Sequence, residues 1–317
     1  MAYGGTSAAT SEKSSQSGLQ GSSKIAQGWG NRGVFAGGTI EPGFVVTLDY
    51  INIGTAANAI DFGDLTQGRF SPAGASDGER GVFGGGAQSP FVNTIDYITF
   101  KSTGNAKDFG DLISARQDGA ATSDGSKGVF CGGQVPSPTD IIEYVAIKTL
   151  SDAKDFGELS QARSYTTATS DGSRGVDVGG FTPPYTDTID YFLIGLLSFR
   201  ALDFGNLITA TYSGGANSNG SRAVYGGGNI PPNSRVDTIN YFAIQSSSNA
   251  LDFGELTQSR RQLGSTENGV RGVWGGGTLD PPKYDTIDYL TIATLSDAAD
   301  FGNLTQSRVT VDAASGD

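Results

Sequence analysis

Pairs of acidic residues recur along the sequence three positions apart, a spacing that suits cation binding or proton exchange. Two carboxylates together can hold Ca²⁺ or serve as acid and base in glycan hydrolysis. The alternative is structural: the first acid caps a turn by accepting backbone N–H bonds, and the second bonds the arginine that begins the next strand. Because the pairs recur in similar segments, we favour the structural role. The clearest pairs are Asp61/Asp64, Asp108/Asp111 and Asp155/Glu158.

Other chemistry is limited by the residue types that the chain lacks. There is no histidine, which excludes the usual Ser-His-Asp and Cys-His nucleophile systems and histidine-bound zinc. The one cysteine is Cys131. The chain repeats a similar segment six times, and glycine holds this position in most of the other segments, so we expect an inert buried residue. We therefore predict no catalytic residue, no cofactor and no resident metal ion.

The acid pairs belong to a repeat of about 48 residues. An acid-Tyr pair and a glycine-rich run after a valine recur in step with the tripeptide Asp-Phe-Gly. A self-similar unit of this length is the signature of a repeat architecture. The six tripeptides are 47 to 49 residues apart and begin at Asp61, Asp108, Asp155, Asp203, Asp252 and Asp300.

Each unit predicts four short strands and no helix. The 48 glycines and 11 prolines interrupt every window that is long enough for a helix, and apolar residues alternate. Short, evenly spaced strands with periodic Gly and aromatic marks are typical of a β-propeller. We predict an all-β fold: one six-bladed propeller over residues 29–317, with four antiparallel strands per blade. The last unit ends after a first strand and the first begins at a second strand, so N- and C-terminal strands should close one blade as a latch.

The repeat resembles the kelch repeat, which also builds the central propeller of galactose oxidase. Kelch units carry a Gly-Gly after the second strand, as at Gly85 and Gly86, and a tyrosine in the third, as at Tyr97. Their fourth strand carries an aromatic residue, usually tryptophan, where this chain has Phe62 and its equivalents. The resemblance implies a kelch-like propeller. Copper chemistry of the galactose oxidase kind is not expected, because it requires imidazole ligands.

A closer resemblance lies in the amino-acid sequence of residues 93–99 and 104–112. It is similar to Gly-rich propeller repeats of predicted structural proteins of tailed phages, notably phages of marine cyanobacteria. This resemblance implies a component of the virion, made in the host cytoplasm and present in several copies in an assembly.

The composition limits the partners. The net charge of −12 and the even spread of 21 basic among 33 acidic residues argue against nucleic acid and anionic membrane surfaces. No apolar run approaches the roughly 20 residues of a bilayer span, so no membrane insertion is expected. Residues 1–28 are rich in Ser, Gly and Ala and cannot bury enough surface to fold alone. We predict a flexible N-terminal arm that orders on another virion protein; a frayed tail is the alternative.

Two further sets of residues could form binding surfaces. A basic residue precedes the second-strand valine in every unit; it could line a ligand ring, or cover a hairpin turn with its stem. The loops between second and third strands vary most, are rich in proline, and present aromatic residues suited to recognition. The alternative is that the prolines only make these turns rigid and the aromatic residues cover the ends of the blades. The basic set is Arg32, Arg80, Lys127, Arg174, Arg222 and Arg271, and the partner-binding aromatics are Phe44, Phe91, Phe181, Tyr185 and Tyr284.

The resemblance to phage repeats, taken with the absence of catalytic residue types, implies a non-enzymatic structural or adhesion protein of a phage particle. It would be a tail-fibre, tail-associated or capsid-appendage propeller that binds another protein, or a host surface glycan or receptor. A carbohydrate-binding lectin is the alternative from another class. A glycan hydrolase that uses the acid pairs is a third.

Overall fold

A computed structural model describes residues 29–40, 43–196 and 199–317 of the chain. The regular elements of these residues are β-strands, and among them no helix is long and apolar enough to cross a bilayer. The predicted arm, residues 1–28, lies outside the described residues.

The strands are short, mostly of four to six residues. In chain order they are β1 (Arg32–Ala36), β2 (Thr39–Ile40), β3 (Gly43–Phe44), β4 (Thr47–Asn52), β5 (Ile60–Asp64), β6 (Ala73–Ser76), β7 (Arg80–Gly84), β8 (Thr94–Thr99), β9 (Lys107–Asp111), β10 (Ala120–Ser123), β11 (Lys127–Cys131), β12 (Gln134–Val135), β13 (Ser137–Ala146), β14 (Lys154–Arg163), β15 (Thr167–Ser170), β16 (Arg174–Val178), β17 (Thr188–Leu193), β18 (Phe199–Arg200), β19 (Leu202–Asn206), β20 (Gly215–Ser218), β21 (Arg222–Gly226), β22 (Asn229–Ile230), β23 (Ser234–Arg235), β24 (Thr238–Ala243), β25 (Leu251–Glu255), β26 (Gly264–Glu267), β27 (Arg271–Gly275), β28 (Thr286–Thr291), β29 (Ala299–Asn303) and β30 (Asp312–Gly316).

The predicted six-bladed propeller of four-stranded antiparallel blades is confirmed. From the inner to the outer strand, blade A is β30-β1-β4-β5, blade B is β6-β7-β8-β9, and blade C is β10-β11-β13-β14. Blade D is β15-β16-β17-β19, blade E is β20-β21-β24-β25, and blade F is β26-β27-β28-β29. The six inner strands neighbour one another in a closed ring, which leaves a channel along the axis.

The latch is also confirmed. The C-terminal strand β30 pairs antiparallel with β1, and Arg32 lies opposite Gly316 while Ala36 lies opposite Asp312. Strand β1 then pairs with β4 of the same blade. The latch strand therefore completes blade A and pairs the edge that β1 would otherwise expose.

The core lies between blades, so each blade is stabilised mainly by its neighbours. At the junction of blades A and B, Val34, Leu48 and Phe62 pack against Phe83 and Phe100, and all five are buried. Similar clusters fill the other five junctions. Burying one such side chain contributes about 1.5–3 kcal/mol. The alternation of apolar residues in the sequence follows from this packing, because each sheet face meets another blade.

The Asp-Phe-Gly tripeptide recurs because it joins blades. In blade A the strand pairing is offset by a bulge at Phe62 and Gly63, and Gly63 has a φ of +144°. A Cβ at Gly63 would lie 2.5 Å from the Gly104 carbonyl of blade B. The Gly104 N–H donates to the Phe62 carbonyl at 2.7 Å. Glycine is required here because any side chain would push the two blades apart.

Candidate functional site

The acid pairs lie on the outer strands. Asp61 is exposed, and Asp64 is half-buried at the end of β5. The backbone N–H of Asp64 donates to Asn105 Oδ1 of the next blade at 3.1 Å, and its carbonyl accepts the Ala106 N–H at 2.7 Å. The first acid is therefore a strand residue, and the turn-capping prediction for it was wrong.

The second and third pairs occupy equivalent places. In blade B, Asp108 and Asp111 are exposed, and the Asp111 N–H donates to Asp152 Oδ1 of blade C at 3.1 Å. Burial raises the pKa of Asp111, and the charges of Asp152 and Asp108 raise it further. In blade C, Asp155 and Glu158 are exposed as well. Among the residues that the structure describes, no three acidic, cysteine or histidine side chains are grouped to hold a metal ion.

The arginines that were expected to begin the inner strands lie just before them, and they bond other acids than predicted. Arg69 was expected to bond the second acid of the preceding pair; instead its guanidinium lies 3.2 Å from Asp96 of the third strand, and both side chains are fully buried. Asp96 also accepts the Thr66 N–H at 3.0 Å. The carboxylate thus holds the link between two blades. The equivalent pairs are Arg116–Glu143, Arg163–Asp190, Arg260–Asp288 and Arg308–Asp49.

Blade E has neither charge of this pair, because Thr211 and Asn240 stand at the two positions. Asn240 Oδ1 still accepts the backbone N–H of Ile208 at 3.2 Å. Both departures are visible in the sequence, and their joint occurrence in one unit was the signal that the two positions are partners.

The basic residues of the second strands join blades rather than line a ligand ring. Arg80 lies over the ring of Tyr97, 4.5 Å from its centroid, and donates to the Ile147 carbonyl of the next blade at 2.9 Å. Arg174, Arg222 and Arg271 make the same two contacts in their blades. Lys127 bonds Asp124 at 3.3 Å instead. These contacts support a structural role for the basic residues of the second strands.

Sequence reasoning missed a buried acid in blade D. The aromatic residue of the second strand is replaced there by Asp177, which is fully buried and accepts a bond from Arg163 Nε at 2.8 Å. The thiol of Cys131 in blade C donates to Asp177 Oδ2 at 3.1 Å. Burial raises the pKa of Cys131 well above its ordinary value, which agrees with an inert thiol. Cys131 takes the place of a glycine that elsewhere makes room for the aromatic ring of the next blade, as Gly84 does for Phe130.

Two of the five predicted partner-binding aromatics form a pocket on the loop face, which we define as the end of the propeller that carries loops 39–46, 87–93, 134–140, 181–187, 229–237 and 278–285. The rings of Phe44 and Phe70 are 5.3 Å apart, and Phe91 and Pro90 complete the apolar wall. The pocket has a volume of about 320 Å³, and Gln117 contributes an amide. Phe44 remains 44% exposed.

The other predicted aromatics lie elsewhere on the loop face. Phe181 and Tyr185 form a cluster with Tyr212, whose ring stacks on Tyr185 with centroids 5.0 Å apart. The Tyr212 hydroxyl accepts a bond from Arg261 at 3.2 Å. Tyr284 is half-buried in the last loop and belongs to neither group. The structure therefore divides the predicted set between the Phe pocket, the Tyr cluster and one separate residue.

The axial channel is narrow, with a volume of about 130 Å³. At the loop face it is encircled by six residues with φ between +50° and +59°. Their backbones are bonded from blade to blade, for example from the Ser71 N–H to the Thr310 carbonyl at 2.8 Å. The six are Ser71, Asp118, Tyr165, Ser213, Gln262 and Thr310.

The opposite end of the channel, which we call the turn end, carries the turns between first and second strands. Trp29 lies there over Gly269, where a Cβ would be 2.2 Å from the indole ring. Its side chain is hydrogen-bonded to Glu267, which lines the channel where the other five blades have serine. Burial raises the pKa of Glu267 to about 8, and burial raises the pKa of Asp312, which lines the same channel at the start of β30, to about 7.

These channel acids predict an unusual pH dependence. In the unfolded chain both groups have ordinary pKa values near 4, so between pH 4 and 8 the folded protein keeps protons that the unfolded chain releases. The contribution of these groups to the free energy of unfolding therefore falls as pH rises through this range. We expect Glu267→Ser, which restores the residue of the other blades, to reduce the fall in Tm between pH 5 and pH 8. A change of about 1 kcal/mol corresponds to about 1–2 °C at this chain length.

The same scan of Tm against pH on Glu158→Ser is the control, because Glu158 is exposed on an outer strand. Parallel curves for the wild type and Glu267→Ser would contradict the assignment of the pH dependence to the channel.

Comparison with known proteins adds no identity. No protein-family model matches the chain, and no curated protein is similar to it.

Proposed function

We propose that this propeller is a non-enzymatic binding protein of a phage particle, which uses its loop face to bind another virion protein or the host surface. The Phe pocket carries the proposal. It is apolar, open, and of a size that receives one large side chain. Open apolar pockets on otherwise polar proteins mark interaction sites.

The position of the first described residues supports this arrangement. Trp29 lies at the turn end, where its side chain bonds Glu267. Residues 1–28 are joined to the chain at this point, at the opposite end of the channel from the Phe pocket. The attachment point of this segment and the loop face are at opposite ends of the propeller, which suits a protein that connects a particle to something else.

The placement in a virion rests on the resemblance of the repeat to phage structural proteins, and mass spectrometry of purified particles tests it. Peptides of this chain in the particle, at a constant ratio to the capsid protein through successive purification steps, are the expected result. Their absence from particles of a phage that expresses the chain would refute the virion proposal.

A binding measurement with the partner found beside the loop face in a map of the particle tests the surface. We expect Phe91→Ser to weaken binding by about tenfold or more, because removal of a central aromatic contact costs about 2 kcal/mol. Leu295→Ser is the matched control, since Leu295 is 53% exposed and lies outside the Phe pocket. Equal losses in the two variants would argue against the pocket.

The Tyr cluster favours a lectin as the second candidate. Its half-buried, stacked aromatic rings are groups against which sugars pack, and the buried amide of Asn229 fixes the Tyr212 hydroxyl by donating to it at 2.9 Å. A glycan array separates the two candidates. Binding that is lost in Tyr185→Ala but kept in Phe91→Ser would favour the lectin.

A further inference from the structure

The Phe pocket exposes more apolar surface than a free loop requires. Phe44 is 44% exposed although the ring of Phe70 lies only 5.3 Å away, and the space beside Phe91 and Pro90 measures about 320 Å³. A tyrosine or phenylalanine side chain fits into such a volume and would cover all three rings. Open apolar pockets mark sites where another chain or a ligand binds.

The chain itself contains a suitable occupant, residues 1–28. A stretch of this length reaches about 90 Å when extended. Its composition cannot form a core of its own, and Tyr3 is the one aromatic residue in it. It is attached to the propeller at Trp29 on the turn end, and an extended segment of this length is long enough to reach the loop face of another copy.

Charge favours the association of this segment with another copy. The chain has a net charge of −12, so two copies repel each other. Residues 1–28 contain two lysines and one glutamate, which makes this segment basic while the remainder is strongly acidic. A basic segment that crosses to the next copy lowers the repulsion between them.

We propose that the N-terminal segment of one copy binds the loop face of the next, with Tyr3 in the pocket of Phe44, Phe70 and Phe91. This inference rests on the proposed function, because it names the partner of the loop face. The contact is head to tail, because one copy contributes its N-terminal segment and its neighbour contributes its loop face. Such contacts build rings or columns of copies.

A synthetic peptide of residues 1–28, titrated into the chain that lacks those residues, tests the contact by calorimetry. We expect saturable binding with one peptide per propeller. Binding should weaken tenfold or more with a Tyr3→Ala peptide and equally with Phe91→Ser protein, whereas Leu295→Ser protein should bind the peptide as the wild type does. No saturable binding, or equal affinity for the Tyr3→Ala peptide, overturns the proposal.

Sedimentation of the full chain tests whether the segment crosses between copies. We expect the average mass to rise with concentration, and the chain lacking residues 1–28 or carrying Phe91→Ser to remain monomeric. A full chain that stays monomeric while the peptide binds would show that the segment folds back onto its own propeller, and the head-to-tail contact would be refuted. Peptides of the chain found in the virion together with a failed peptide titration would leave the proposed function standing and remove only this partner.

Discussion

Replacing Arg260 by threonine is expected to lower the free energy of unfolding by about 3–5 kcal/mol. Arg260 lies 2.9 Å from Asp288, and both side chains are fully buried. Burial lowers the pKa of Arg260, and the charge of Asp288 acts against that shift. Removing the guanidinium takes away the counter-charge of the buried Asp288 carboxylate, which keeps the bonds from Thr257. Urea unfolding followed by circular dichroism measures the loss.

The double variant Arg260→Thr/Asp288→Asn provides the sharper test, because it copies the natural pair Thr211/Asn240 of blade E. An amide at position 288 can still accept the Thr257 N–H, as Asn240 does for Ile208. We therefore expect the double variant to lose less stability than Arg260→Thr alone, with a coupling of about 1–3 kcal/mol. Losses that simply add would show that the two charges do not compensate each other.

An exposed ion pair is the control for this cycle. Lys148 and Glu79 are 3.7 Å apart and about 70% exposed. Exposed pairs contribute about 0–1 kcal/mol, so Lys148→Ala should change the free energy of unfolding very little. A large loss of unfolding free energy in Arg260→Thr beside a small loss in Lys148→Ala would show that burial of the pair, rather than pairing itself, causes the large effect.

The architecture could be predicted because the same unit recurs six times in the sequence. The period of Asp-Phe-Gly gave the number of blades, and the offset between the first and last units predicted the latch that pairs β30 with β1. What the period could not supply was the direction of each side chain at a bulge. The bulge at Phe62 and Gly63 turns Asp61 outwards, away from the turn that it was expected to cap. A pattern of residue types does not specify such an offset.

The partners of the buried groups could be predicted only where the repeat breaks. Contacts between residues of different strands, such as Arg69 with Asp96, look alike in every unit and carry no local signal. The joint departure at Thr211 and Asn240 identifies such a pair. Cys131 and Asp177 also depart together from the residues of the other units. They lie in successive blades, C and D, rather than in one unit. The Phe pocket lies between two blades, so the sequence could predict its aromatics but not which of them would meet.

Removing the latch is expected to have the largest effect of all. A chain that ends at Val311 lacks β30, the inner strand of blade A. It loses the bond from the Gly74 N–H to Asp312 at 2.8 Å and the bond from Ser76 Oγ to the Ser315 carbonyl at 2.6 Å, both of which join blades A and B. The edge of β1 would be unpaired and the ring open. We expect aggregation or loss of the cooperative thermal transition, measured by size-exclusion chromatography and circular dichroism.

A peptide of residues 306–317, added to the shortened chain during refolding, should restore the transition, because the missing strand brings its own register against β1. The chain that lacks residues 1–28 is the control and should keep the Tm of the full chain at a concentration at which the full chain is monomeric. A shortened chain that melts as the full chain does would contradict the latch, since blade A would then be stable with three strands and closure of the ring would depend on packing between blades alone. Rescue by the peptide together with failure of the shortened chain would instead show that one five-residue strand decides whether the ring closes.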